Sequence, residues 1–130
     1  MAAARDVIRT DRAPKAIGPY SQGIRGGGFV FCAGQGAFDP ATGKLVPGGI
    51  REQTRQCLLN IRAVLQASGS DLDRVVRVTV MLLNWNDFVG MHEVFAESFG
   101  TDSPPARSTV QGERWPEGSL VAIDVIALAE

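Results

Sequence analysis

The stretch Pro104-Pro105-Ala106-Arg107-Ser108-Thr109-Val110 holds the residues best arranged for chemistry. The paired prolines deny the chain a helix and press the residues before them into extended geometry. Ala106 to Gln111 then reads as a short strand. Strand alternation sends Arg107, Thr109 and Gln111 to one face and Ser108 and Val110 to the other. Arginine keeps its charge at any working pH, and its planar fork matches a carboxylate or phosphate with two parallel hydrogen bonds. An arginine aimed by a stiff backbone, with no acid in its own strand, is a candidate anion hook. The competing reading is a surface arginine whose stem covers apolar area.

Four other places could support chemistry. Ile17-Gly18-Pro19-Tyr20-Ser21-Gln22-Gly23 is too punctuated for regular structure and needs pinning from outside. Its Tyr20 has an apolar ring and one hydroxyl, which suits packing first of all. Gly34-Gln35-Gly36 ends an apolar run, where glycine serves a positive φ, the approach of a ligand to main-chain N–H groups, or a bulge. His92 shares helical spacing with Phe88, Met91, Phe95 and Phe99, which predicts a satisfied core histidine rather than a catalytic one. Asp124 is a charge inside an apolar strand, and a structural ion pair is the favoured explanation over an oligomer cavity or a site. Gly43-Lys44 is no phosphate loop, because Leu45 stands where such a loop needs Ser or Thr.

Composition narrows the classes. The chain has 130 residues, 45% hydrophobic and 21% charged, which fits one globular domain with a core of its own. Net charge is −1 at pH 7, which counts against a nucleic-acid binder that must neutralise phosphates. No apolar run reaches membrane-span length, and the start, Met1 to Arg5, lacks the apolar stretch of a signal peptide. Cys32 and Cys57 are too few for a disulfide framework and lack C-x-x-C spacing, which predicts a reduced, cytoplasmic compartment. With one histidine and no clustered ligands, no metal site is expected.

The elements that must position these residues follow from periodicity. Val7-Ile8 is a candidate short edge strand. Gly23 to Arg25 and Phe29 to Ala33 flank Gly26-Gly27-Gly28 and read as a β-hairpin. Ile50, Thr54, Cys57, Leu58, Ile61, Val64 and Leu65 mark one face of a long amphipathic helix that Gly69 stops. Val75 to Leu83 is a strand with Val76, Val78, Val80 and Leu82 on its buried face. Asn84 or Asn86 caps a second helix that Gly100 closes. After the arginine strand, residues 112–118 form a loop, and Leu120 to Leu128 is the last strand. The order β-β-α-β-α-β-β predicts an α+β sandwich, with both helices on one face of the sheet and the other face in need of cover.

With these motifs in place, the sequence resembles the RidA (YjgF) family of enamine/imine deaminases. The resemblance runs through Ile17 to Gln22, Ala33 to Gly36, Gln53-Thr54, Asn60, Asn86-Asp87-Phe88, Pro105 to Ser108 and Ile123 to Ala127. It implies a chorismate-mutase-like fold and a homotrimer with clefts between subunits, and no cofactor. It also implies that Arg107 grips a substrate carboxylate, that backbone groups at Gly34 and Thr109 hold the ligand, and that Tyr20 reaches the cleft. The implied substrates are small reactive 2-enamino or 2-imino acids, and the products 2-keto acids and ammonia, a metabolite damage-control activity.

The resemblance has departures. The family's water-handling glutamate in the last strand corresponds to Ala122, which takes its place in the cleft, with Asp124 the nearest acid on that face. Thr109 stands for a cysteine and His92 for an asparagine. A positioned acid or base contributes roughly 10²–10⁴-fold to a rate. Thr109 and His92 are the candidates to take over that role, which makes Arg107, Thr109 and His92 the expected catalytic set. The alternatives are a non-catalytic trimer that binds small carboxylates and, more weakly, an endoribonuclease or translation inhibitor.

Overall fold

The structure is a computed structural model that describes residues 4–115 and 118–130. The start of the N-terminal stretch and part of the loop predicted over 112–118 lie outside the described residues. Six strands form one mixed sheet: β1 (Arg5–Ile8), β2 (Gly23–Gly26), β3 (Phe29–Gln35), β4 (Val75–Leu82), β5 (Ala106–Gln111) and β6 (Val121–Leu128). Their order across the sheet is β1-β2-β3-β6-β4-β5. β4 and β5 run parallel, and every other neighbouring pair is antiparallel. Two helices, α1 (Ile50–Ala67) and α2 (Phe88–Phe99), cover one face, as the periodicity predicts. No helix among the described residues is long and apolar enough to cross a membrane.

Local chemistry explains the elements. The β2–β3 hairpin turns through Gly27 and Gly28, both at positive φ (60° and 84°), the pair of angles a two-residue I′ turn requires. α1 starts where the Gly49 N–H donates to the Glu52 carboxylate at 3.0 Å. Gly48 before it has φ 108°, and a Cβ there would lie 2.6 Å from the Glu52 side chain, so only glycine fits. The stripe Cys57, Leu58, Ile61, Val64, Leu65 is buried against Val30, Val78, Val80, Ile123 and Val125 of the sheet. Truncating a residue such as Ile61 or Leu65 there costs about 2–5 kcal/mol. The expected cap of α2 by Asn84 or Asn86 does not form: Asp87 stands at the α2 N-cap without a side-chain hydrogen bond, and Asn84 instead caps a short 3-10 turn at Trp85–Asp87, its side chain accepting from the Asn86 N–H.

One strand face differs from the alternation. Val78, Val80 and Leu82 are buried as expected, but Val76 is exposed and Val75 takes its place in the core. The register with β6 shifts between Val75 and Arg77, so an irregularity at the strand's entry resets the alternation.

Candidate functional site

Arg107 pairs with Val78 and Thr109 with Val80 across the parallel ladder. Val78 and Val80 face the helices, so Arg107 and Thr109 also leave the sheet on the helix side. Because β5 is the edge strand, they do so at the margin of the molecule, beside α2. The guanidinium carbon sits 4.6 Å from the Phe95 ring centroid and 5.6 Å from that of Phe88. Partial burial pushes the Arg107 pKa down from the ordinary arginine value. Among the described residues no ion pair compensates. Its one side-chain hydrogen bond there joins NH2 to His92 Nδ1 at 3.0 Å.

His92 is therefore not the core histidine that helical spacing suggests. The buried stripe of α2 runs through Met91, Val94 and Phe95, and His92 lies exposed on its margin against the edge strand. Its ring stacks on Phe88 (5.5 Å, 15°), and Phe88 stacks on Trp85 (5.1 Å, 24°). Thr109 is half-buried, with no hydrogen bond to its hydroxyl among the described residues.

Tyr20 and Gly34 come together elsewhere. The irregular segment is pinned by buried Gln22, which accepts from the Thr10 N–H (2.8 Å) and donates to the carbonyls of Thr10, Ala13 and Pro14. The Tyr20 hydroxyl accepts from the Ile17 N–H at 3.2 Å, folding the ring over its own loop. Tyr20 and Gly34 line a cavity of about 270 Å³ with Lys15, Gln35, Gly36 and Phe38. Gly34 lies within a register shift between Cys32 and Gln35, which is the bulge reading. Neither Gly34 nor Gly36 has positive φ. A Cβ at Gly34 would meet only Met81, at 3.7 Å, whereas one at Gly36 would lie 2.6 Å from the Phe38 ring. Packing thus demands glycine at 36 and leaves 34 open. Three strand spacings, about 14 Å, separate Gly34 from Arg107 within one chain.

A family model described as Endoribonuclease L-PSP matches residues 10–129. A RutC family protein of Pyrococcus horikoshii is 52% identical over 126 residues, covering 97% of this chain and 99% of its own. A Mus musculus protein named 2-iminobutanoate/2-iminopropanoate deaminase is 43% identical over 124 residues, covering 95% of this chain and 91% of its own. The crystal structure of RidA from the Antarctic bacterium Psychrobacter sp. superposes with TM-score 0.90 at 38% identity, covering 95% of this chain and 98% of that one. The chain belongs to the RidA (YjgF) family.

The RidA fold is thus confirmed, with two helices on a mixed six-stranded sheet. The uncovered sheet face carries Phe29, Phe31 and Val110, all exposed. Ala122 pairs with Met81 on this face, so Ala122 and Arg107 look to opposite sides of one protomer's sheet. Asp124 faces the same way, opposite Thr79, and is half-buried. Among the described residues it forms no ion pair, contrary to the expectation from sequence; the only charge on its cross-strand neighbours, Arg77, donates to Ser108 instead (2.9 Å). Its charge helps burial push the neighbouring Cys32 thiol up to about 12. Cys57 is fully buried in the core as expected. No group of three or more His, Cys, Asp or Glu side chains among the described residues could hold a metal ion.

Sequence reasoning missed three residues of this RidA site. Phe95 is core and Phe88 packs against it, as helical spacing predicts, but their rings also form the bed under Arg107. Gln22 looked like one more polar loop residue. Only its burial next to a glycine- and proline-broken loop marks it as the pin.

Proposed function

We propose that this chain is a hydrolytic deaminase of small 2-enamino and 2-imino acids. Water adds to the imine carbon, ammonia leaves, and a 2-keto acid remains. The observation that carries the reading is the Arg107 guanidinium: partly desolvated, steadied by two rings and a ring nitrogen of His92, and free of any carboxylate partner among the described residues. Such a fork gains most when a ligand carboxylate arrives, because charge-assisted bidentate bonds are the strong ones. Thr109, on the same strand face, offers its hydroxyl to the water, and His92 contacts Arg107.

The working unit in this reading is a cytoplasmic homotrimer without a cofactor or metal. Tyr20 and Gly34 of one copy meet Arg107 and Thr109 of the next, with Ala122 on the cleft wall. The apolar uncovered sheet face and the separation of the two half-sites within one chain support this arrangement. Holding the reactants in line is itself a large part of catalysis, and imines hydrolyse readily.

Freshly generated 2-iminobutanoate provides the test. The protein should accelerate keto-acid formation, and Arg107→Ala should abolish the gain; equal rates with and without protein end the proposal. A second reading, a trimer that binds small carboxylates without turnover, is favoured by the methyl group at Ala122. Calorimetry would then show Arg107-dependent binding of 2-ketobutyrate, pyruvate or benzoate with no rate enhancement. An RNA-directed activity has the description of the matching family model behind it, and the net charge of −1 argues against it.

A further inference from the structure

The contact between His92 and Arg107 fixes more than a distance. A guanidinium offers donors only, so an NH2 group 3.0 Å from Nδ1 makes that nitrogen the acceptor. The imidazole is then neutral, with its proton on Nε2. Its ring is held in plane by the stack on Phe88, itself stacked on Trp85. Arg107 has no other side-chain hydrogen bond among the described residues.

A neutral acceptor is well suited to an anion hook. A carboxylate in its place would orient the fork equally well but would compete with the ligand for the same charge. A protonated imidazole would turn an N–H toward the N–H of Arg107 and set two cations side by side. On α2, Glu93 is drawn 2.6 Å from Arg51 of α1, and Asp87 lies before the helix starts; from β5 only Arg107 reaches the ring. None of the ion pairs among the described residues includes His92.

We propose that His92 is a positioning residue for Arg107. Its neutral Nε2–H form sets the guanidinium fork toward the carboxylate of a 2-oxo or 2-imino acid, and protonation of the ring releases it. This rests on the reading of Arg107 as carboxylate anchor. It assigns His92 the holding of that anchor and leaves proton transfer from water to other groups.

The chain has one histidine, so its imidazole signals need no assignment. Long-range ¹H–¹⁵N spectra near neutral pH should show the Nε2–H tautomer, and Arg107→Ala should return the ring to a mixture. Calorimetry with 2-ketobutyrate, which stays ionised throughout, should show affinity falling roughly tenfold or more on acidification that protonates the ring. His92→Asn keeps an acceptor that does not titrate; it should match wild type at high pH and stay flat. His92→Phe keeps the stack without the acceptor and should bind about tenfold more weakly at high pH, the loss expected for a hydrogen bond to a charged group. A wild-type ring in the Nδ1–H form overturns the proposal. So does a flat wild-type profile, or affinity that rises on acidification, which would make His92 a second cation for the ligand. If no carboxylate binds the wild type at any pH, the anchor reading itself fails, and the tautomer spectra alone decide whether His92 holds Arg107.

Discussion

Replacing Arg107 by methionine separates an anchor for ligand from a prop for the fold. The substitution removes one hydrogen bond from a charged guanidinium to a ring nitrogen, worth about 1.5 kcal/mol, the low end for a charged donor because the contact is exposed. It also removes two cation–π contacts with Phe88 and Phe95, worth about 0.5–1 kcal/mol each at partly exposed sites. Against this, a desolvated charge disappears, the one that lowers the pKa of Arg107. A methionine sulfur over the same two rings returns about 0.3–1.5 kcal/mol. Stability should therefore stay within about 1.5 kcal/mol of wild type, a melting shift of at most about 5–8 °C for a domain of this size. Ligand binding should behave otherwise. Two charge-assisted hydrogen bonds to a carboxylate are worth about 1.5–3 kcal/mol each, so affinity for 2-ketobutyrate should fall by about 10² or more. Urea denaturation followed by tryptophan fluorescence measures the first quantity and calorimetric titration the second. A loss of stability beyond about 3 kcal/mol, or an affinity changed by less than about threefold, would show that Arg107 is structural and refute the reasoning.

Further predictions concern the cleft and the scaffold. Ala122→Glu should raise 2-iminobutanoate hydrolysis by at least about tenfold, within the 10²–10⁴ ceiling of a positioned acid or base, as read by keto-acid release under saturating substrate. Gly48→Ala should destabilise by about 1–3 kcal/mol in urea titrations, because φ 108° and the 2.6 Å approach to Glu52 both exclude a side chain. Asp71 is pushed up by partial burial, but the Leu72 N–H, the Gln66 amide and Arg62 outweigh this and hold its pKa below the ordinary carboxylate value. A carboxyl with a depressed folded pKa stabilises above its unfolded pKa and loses that contribution as pH falls through the folded one. Asp71→Asn should therefore be less stable than wild type at neutral pH, and the gap should close in acid below the usual aspartate range.

The sequence allowed the reading of everything that depends on neighbours a few residues apart. The stripe from Ile50 to Leu65 predicts α1, the glycine turn predicts the β2–β3 hairpin, and the prolines before Arg107 predict an extended start to β5. Alternation also paired Arg107 correctly with Thr109. Apart from the short edge strand expected at Val7-Ile8, it could not give the place of each strand in the sheet. That β5 lies at an edge is a long-range fact, and it turns His92 from a core residue into a partner of Arg107. The displacement of Val76 arises from a register shift against a strand far along the chain. Asp124 reads as an ion-paired residue only if a cation sits across from it, and the cross-strand neighbour is Thr79. Arg107 and Ala122 are both strand residues with correct alternation, yet sequence gives no sign that they look to opposite sides.

The last strand occupies an inner position, between β3 and β4. Among the described residues, β1, β2 and β3 join β4 and β5 in the sheet only through β6. During synthesis the growing polypeptide therefore holds two unfinished half-sheets, each with an inner edge unpaired, until β6 emerges from the ribosome. Bare strand edges are templates for association with other chains. Such non-local closure is also slow compared with helix formation. A nascent chain stalled before Val121 should thus be a chaperone client rather than a nearly folded protein.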